Sequence, residues 1–208
     1  MAARLLWDVE TDVDAVFDEM CNRLYGPAGP AIREYYRLME DAFAESDLHF
    51  PGNATIYAPK IFTEEMMAAL RAQLDRAHEL ADSDLIEQRL AKLELSYEYT
   101  TRFLEYIAIR DADDLPTARR ALRVVDELVT EVREDREKWD GVVSTSVVRR
   151  GGYLGRELEN TRARVEPMIA IAAADTRGGE NLLTNPSFEE SDDDRVVGWE
   201  DLAATHEQ

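Results

Sequence analysis

The chain has 208 residues, a formal net charge of -20 and 45% hydrophobic residues. That size and mix support a folded core of one domain, or one domain plus an attachment, and argue against wholesale disorder. So acidic a surface repels nucleic acid and anionic membranes, and neither is expected as a partner. No apolar run approaches the roughly 20 residues that span a bilayer, and the opening "MAARLLWDVETDVD" lacks the pattern of a signal peptide.

The basic residues are lopsided, with 21 Arg against three Lys (Lys60, Lys92 and Lys138). Acid excess with scarce lysine resembles proteins of salt-loving organisms, because strong salt screens self-repulsion within a few Å. A halophilic, high-salt source is the expectation. The lone cysteine, Cys21, excludes an internal disulfide. Its place on an apolar helix face reads as a buried, inert thiol rather than a nucleophile.

Thr11 is placed to cap the first helix, with Asp14 completing a capping box. Val13, Val16, Phe17, Met20, Cys21 and Leu24 then recur as one apolar stripe. Gly26 and Pro27 stop it, and Pro30 opens a second helix carrying Ile32, Tyr35, Tyr36, Met39 and Phe43. From Ser46 to Phe62 the period lapses, and "HFPGNATIYAPKIF" predicts an ordered loop pinned by Phe50, Tyr57 and Phe62.

Thr63 caps a third helix, with Glu64 and Glu65 at its positive end. Asp84 and Glu87 form a second candidate capping box, starting the longest helix, which runs to about Arg110. Pro116 sits in the first turn of a fifth helix, running towards Trp139. Short connections between long stripes predict antiparallel packing. "DGVVSTSVVRRGG" breaks the period. A last polar helix is expected from Gly152 to about Val165, stopped before Pro167. "MIAIAAAD" is open between strand and helix. The expectation is an all-α fold, an antiparallel helical bundle of about five to six helices over 1–174. A linker at 175–180 and a non-helical tail at 181–208 follow.

No catalytic constellation stands out, so no catalytic and no cofactor-binding residue is assigned. Asp75 and His78 lie at i, i+3, a spacing that can present a carboxylate and an imidazole to one metal. A di-metal bundle site needs that pair twice, and the second histidine-bearing pair is missing. A surface ion pair or a solvated face is the better reading. With 44 acids, some carboxylate pair always falls at glycosidase-like separation, so spacing alone carries nothing. "GGYLG" holds G-x-x-x-G among Arg and Glu rather than in an apolar run, which excludes a membrane-helix contact. Trp7, Tyr25, Tyr35, Tyr36, Tyr97, Tyr99 and Tyr106 could stack on sugar rings. Several lie on the apolar stripes, where core packing is the default.

Two segments carry a resemblance. Leu6-Trp7-Asp8, the Asp12-Val13-Asp14 helix start, and Tyr25-Gly26-Pro27-Ala28 before an amphipathic helix lie between Ala3 and Glu40. They resemble the helical domain that follows the catalytic barrel in glycoside-hydrolase-like proteins related to alpha-glucuronidases and hexosaminidase-type barrels. The likeness extends over roughly 3–140. In such enzymes the catalytic groups sit at the ends of barrel strands. None can be carried to this chain, which is expected to be non-catalytic by itself and either a fragment or the product of a split gene.

The second segment is "NLLTNPSFEE" with Gly198-Trp199. It looks like the first strand and turn of a β-sandwich carbohydrate-binding module, a fold that needs about 100 residues. That likeness implies a structural calcium in the complete module, with Glu189 as a candidate ligand. Together the resemblances imply an accessory role in a carbohydrate-active protein. The partners would be the catalytic barrel and, through the parent protein, carbohydrate, and a homodimer contact is open. The alternative is a free-standing helical-bundle interaction module.

Overall fold

The computed structural model describes residues 10–48, 57–175, 191–192 and 195–196. The described residues are mostly helical. In chain order they form α1 (Val13–Tyr25), a 3-10 turn (Gly26–Ala28), α2 (Gly29–Glu45), the short α3 (Ala58–Ile61), α4 (Glu64–Leu80), α5 (Asp84–Ile109) and α6 (Leu115–Glu134). Two single turns follow, α7 (Arg136–Trp139) and α8 (Thr145–Val148), and then α9 (Tyr153–Asp175). Ser191–Asp192 (β1) pairs antiparallel with Arg195–Val196 (β2).

The contacts divide the chain into two units, Met1–Val165 and Glu166–Gln208, with the border inside α9. The boundary expected at 174 falls in the last turn of that helix. The 175–180 linker lies beyond its described side chains, as does most of 181–208.

Helix starts follow cap chemistry, with corrections. Asp12 rather than Thr11 caps α1, its Oδ1 accepting from the Ala15 amide at 3.1 Å. Either side chain could have served. Asp12 is the residue whose extended backbone meets the first helical turn. Thr63 caps α4 as expected, accepting from Met66 N at 3.2 Å. The expected Asp84–Glu87 box does not form. Ser83 is the residue before α5, it makes no side-chain cap bond, and Glu87 reaches His78 instead. Asp114 caps α6 through the Thr117 amide at 2.9 Å. The Ser46–Phe62 segment is not loop throughout, since Ala58–Ile61 makes a helical turn with Ile61 buried.

The last helix departs most. It starts at Tyr153 and continues through Pro167 to Asp175, absorbing "MIAIAAAD". Proline removes one backbone donor, but the alanines that follow it and the other bonds of a 23-residue helix carry one gap.

Within the first unit, side-chain pairs fix the helix directions. Gly29 lies against Asn22 and Phe17 against Tyr36 at 5.3 Å between ring centroids, so α1 and α2 run antiparallel. Arg71 with Glu94 and His78 with Glu87 give the same for α4 and α5. Arg102 with Glu131 and Arg120 with Glu105 give it for α5 and α6. Gly26 makes the first corner with φ +51, a conformation that needs glycine, and its amide donates to Asn22 O. A Cβ at Gly29 would stand 2.8 Å from the Asn22 Cα, so α2 can start this close to α1 only with glycine there.

Two hydrophobic clusters result. The first joins α1, α2, α4 and the start of α5, around Ile32, Leu70, Leu74 and Leu90. The second joins the rest of α5 with α6 and α9, around Tyr106, Val125, Leu128, Trp139 and Leu154. The 26-residue α5, about 40 Å long at about 1.5 Å per residue, serves both. Lys92, near its middle, places Nζ 2.9 Å from Lys138 O, 3.1 Å from Asp140 O and 3.4 Å from Glu137 O, tying α5 to the end of α7.

Candidate functional site

One candidate lies between α2, α4 and α5. It is a cavity of about 200 Å³ walled by Tyr35, Tyr36, Met39, Phe62, Met67 and Tyr97. Ligand pockets usually hold about 300–1,000 Å³, so it falls below that range. Two of its lining hydroxyls are already committed. The Tyr97 hydroxyl donates to Met67 O at 3.1 Å, and the Thr100 hydroxyl to Ser96 O at 2.9 Å within its own helix. Burial, followed by the neighbouring phenol of Tyr36, pushes the Tyr35 phenol up to about 12, so it stays protonated.

A row of charges crosses the same helices. The Arg71 guanidinium lies over the Tyr97 ring at 5.3 Å, pairs with Glu94, and reaches Asp75 at 2.8 Å. Its own hydrogen bond to Glu94 leads in raising its pKa. His78 places Nδ1 2.8 Å from Glu87 and Nε2 3.7 Å from Glu94. Asp75 therefore pairs with Arg71 and not with His78. Both imidazole nitrogens face carboxylates of α5, so the ring is engaged across the helix pair. Arg71 Nε is buried without a hydrogen-bond partner among the described residues.

The other residues singled out in the sequence resolve as packing or lie elsewhere. Tyr25, Tyr35 and Tyr106 are buried, and Tyr36, Tyr97 and Tyr99 are half-buried within the clusters, so their ring faces meet protein. Cys21 is fully buried, and burial is the main cause raising its pKa, which keeps the thiol protonated and a poor nucleophile. Trp7, Phe50 and the candidate calcium ligand Glu189 lie outside the described residues. Among the described residues, no group of three or more His, Cys, Asp or Glu side chains could hold a metal ion. Nor is any helix there long and apolar enough to cross a membrane.

Sequence reasoning missed two polar arrangements. In the second cluster, the Tyr106 hydroxyl lies 2.9 Å from Glu157 and 2.8 Å from the buried Thr161 hydroxyl, while Arg110 reaches the same Glu157 oxygen at 3.3 Å. Nothing in the periodicity marks it, because Tyr106 reads as an ordinary stripe residue. The other is a pocket of about 300 Å³ lined by Arg133, Arg136, Thr145, Val148 and Arg149. Its signal was available in "VVRRGG", where two arginines precede two glycines. No protein-family model, no curated protein and no solved structure matches the chain.

Proposed function

We propose that the chain is a non-catalytic helical accessory region of a glycoside-hydrolase-like, carbohydrate-active protein. In this reading an antiparallel helical bundle over 1–174 buttresses a catalytic barrel outside this chain. It connects that barrel through 175–180 to a sugar-binding β-module beginning at 181–208, where Glu189 helps hold a structural calcium. The parent protein is then a glycoside hydrolase, and the excess of acid reflects a high-salt setting.

The observation that supports the non-catalytic part is that three carboxylates among the described residues are perturbed, all downward. Glu34 is held low chiefly by its hydrogen bond from Arg37, Asp114 by the Thr117 amide, and Glu131 by Lys138 and then Arg102. A general acid at neutral pH needs the opposite shift, as when burial raises a carboxyl. Glu34 ties one turn of its own helix, Asp114 caps α6, and Glu131 joins α6 to α5 and α7.

The test is hydrolysis of aryl glycosides by the purified chain, for which no turnover is expected. Turnover abolished by changing one carboxylate within the chain would overturn the reading. For the salt setting, circular dichroism should show more helix in 3 M than in 0.1 M KCl, and equal folding removes that part.

One observation favours the alternative of a free-standing helical interaction module. The exposed large apolar residues Val13, Phe43, Leu80, Leu85 and Ile171 are spread over α1, α2, α4, α5 and α9. Scattered exposure of this kind is ordinary for a monomer. Binding of an apolar dye or self-association of the isolated chain supports a covered docking face and the accessory reading. A stable monomer without dye binding supports the alternative.

A further inference from the structure

Nine arginines pair with acids among the described residues. Arg33 is the extreme case, holding Asp14 at 2.8 Å, Asp18 at 3.0 Å and Glu40 at 3.1 Å. With 44 acids to 24 bases, each base has nearly two carboxylates to choose from. Against that background, Arg133, Arg136 and Arg149 line one pocket of about 300 Å³, and none of them pairs with a carboxylate among the described residues. Three guanidiniums on one small cavity repel each other, and no carboxylate among the described residues makes a direct ion pair with any of them.

The pocket is built rather than incidental. Arg133 on α6 donates through Nε to Val148 O at 2.8 Å and through one terminal nitrogen to the same oxygen. That bond holds the α8 turn against α6. From the other side the start of α9 presses on the same turn. A Cβ at Gly152 would stand 2.0 Å from Ser146 O, and one at Gly155 would stand 1.8 Å from Arg149 O. Only glycine allows α9 to approach so closely, and the approach fixes the backbone that carries Arg149. This gives "RRGGYLG" a purpose that the membrane-helix reading did not supply. Beside the pocket, sharing Arg136 and Thr145, a groove runs past Val142 and Val143.

We propose that this pocket binds a tetrahedral oxyanion, a phosphate or sulfate group, either free or at the end of a larger molecule whose stem lies in the adjoining groove. Planar guanidiniums offer paired donors that match two oxygens of such a group. The bound charge replaces the carboxylates that the three arginines lack. At 300 Å³ the pocket sits at the small end of the ligand range. The net charge of -20 makes the site a selective one, because the rest of the surface repels anions at low ionic strength.

Calorimetric titration of the full chain tests this, at constant ionic strength set with chloride, using inorganic phosphate, sulfate and phenyl phosphate as separate probes. One saturable site per chain is expected. Arg136→Gln and Arg149→Gln should each weaken it by about tenfold or more, the cost of one charge-assisted hydrogen bond. Both side chains are exposed, so the helical dichroism should not change. Arg119→Gln, an exposed α6 arginine outside the pocket, should leave binding unaltered. Gly155→Ala should weaken binding by displacing Arg149. Equal affinity for phosphate and phenyl phosphate assigns the free ion, and tighter binding of the ester assigns a terminal group on a larger molecule; either result supports the site. Absence of saturable binding by all three probes, or equal weakening by Arg119→Gln, overturns it.

Discussion

The two hydrophobic clusters of the first unit share α5 but are filled in different ways. The cluster of α1, α2 and α4 leaves a cavity of about 200 Å³ and is bordered by the Arg71–Glu94–His78–Glu87 row. The cluster of α6 and α9 packs Ala121, Val125, Leu128, Val129 and Val132 at zero exposure and encloses the Tyr106–Glu157–Thr161 polar group. Added volume therefore has room at the cavity wall of the first cluster, at Ser96, and none is marked at the fully buried Ala121 of the second. The contrast teaches that helix stripes of similar apolar content can differ in how completely they are filled, which periodicity does not record.

The sharpest test of the tight cluster is Trp139→Ala. Trp139 is 1% exposed and meets Tyr99 edge-on at 6.3 Å. Its loss should cost about 3–5 kcal/mol, read from urea unfolding. Next comes a matched pair of enlargements. Ala121→Val, at a fully buried position of the tight cluster, should cost about 1–3 kcal/mol. Ser96→Val, facing the cavity of the other cluster, should cost nothing or stabilise by less than about 1 kcal/mol. Equal costs for the two would erase the distinction.

Smaller effects separate the polar groups inside the tight cluster. Tyr106→Phe removes a hydroxyl bound to a carboxylate and should cost about 1.5 kcal/mol by the same assay. Tyr153→Phe removes a buried hydroxyl with no hydrogen-bond partner among the described residues, and should change stability by less than about 0.5 kcal/mol.

The smallest is a pH effect at the α5–α6 seam. Glu131 is held below the ordinary value by hydrogen bonds from Lys138 and then Arg102. Its contribution is therefore complete above the unfolded value of about 4.3 and is lost as pH falls through the lower folded value. Glu131→Gln should flatten the acid limb of stability below about pH 5. An unchanged limb would show that this pair gives nothing measurable, as many exposed pairs do.

Much of the helical order was legible because caps and stripes are local. Thr63, Pro116 and the Gly26-Pro27 corner each settle their own turn. The Asp84–Glu87 box failed because Glu87 had a better partner across the helix pair in His78, a contact no local pattern contains. Pro167 misled for the same reason in reverse, since the helix around it supplies enough bonds to absorb the gap. The candidate sites were less legible still. Tyr106 meets Thr161 across 55 positions of sequence, and the three arginines converge only because Gly152 and Gly155 bring α9 onto the α8 turn.

The three lysines are placed with unusual economy. Lys60 lies over the Tyr57 ring at 5.6 Å, Lys138 pairs with Glu131 and covers Trp139 at 5.2 Å, and Lys92 faces three carbonyl oxygens. An ammonium group offers three donors spread about one point, whereas a guanidinium offers a flat fork. Lys92 therefore occupies a place where the prevailing arginine would fit worst. A compositional drift from lysine to arginine, acting on this chain as a whole, would meet its strongest resistance at that position, and Lys92→Arg is the least conservative of the exchanges it could make.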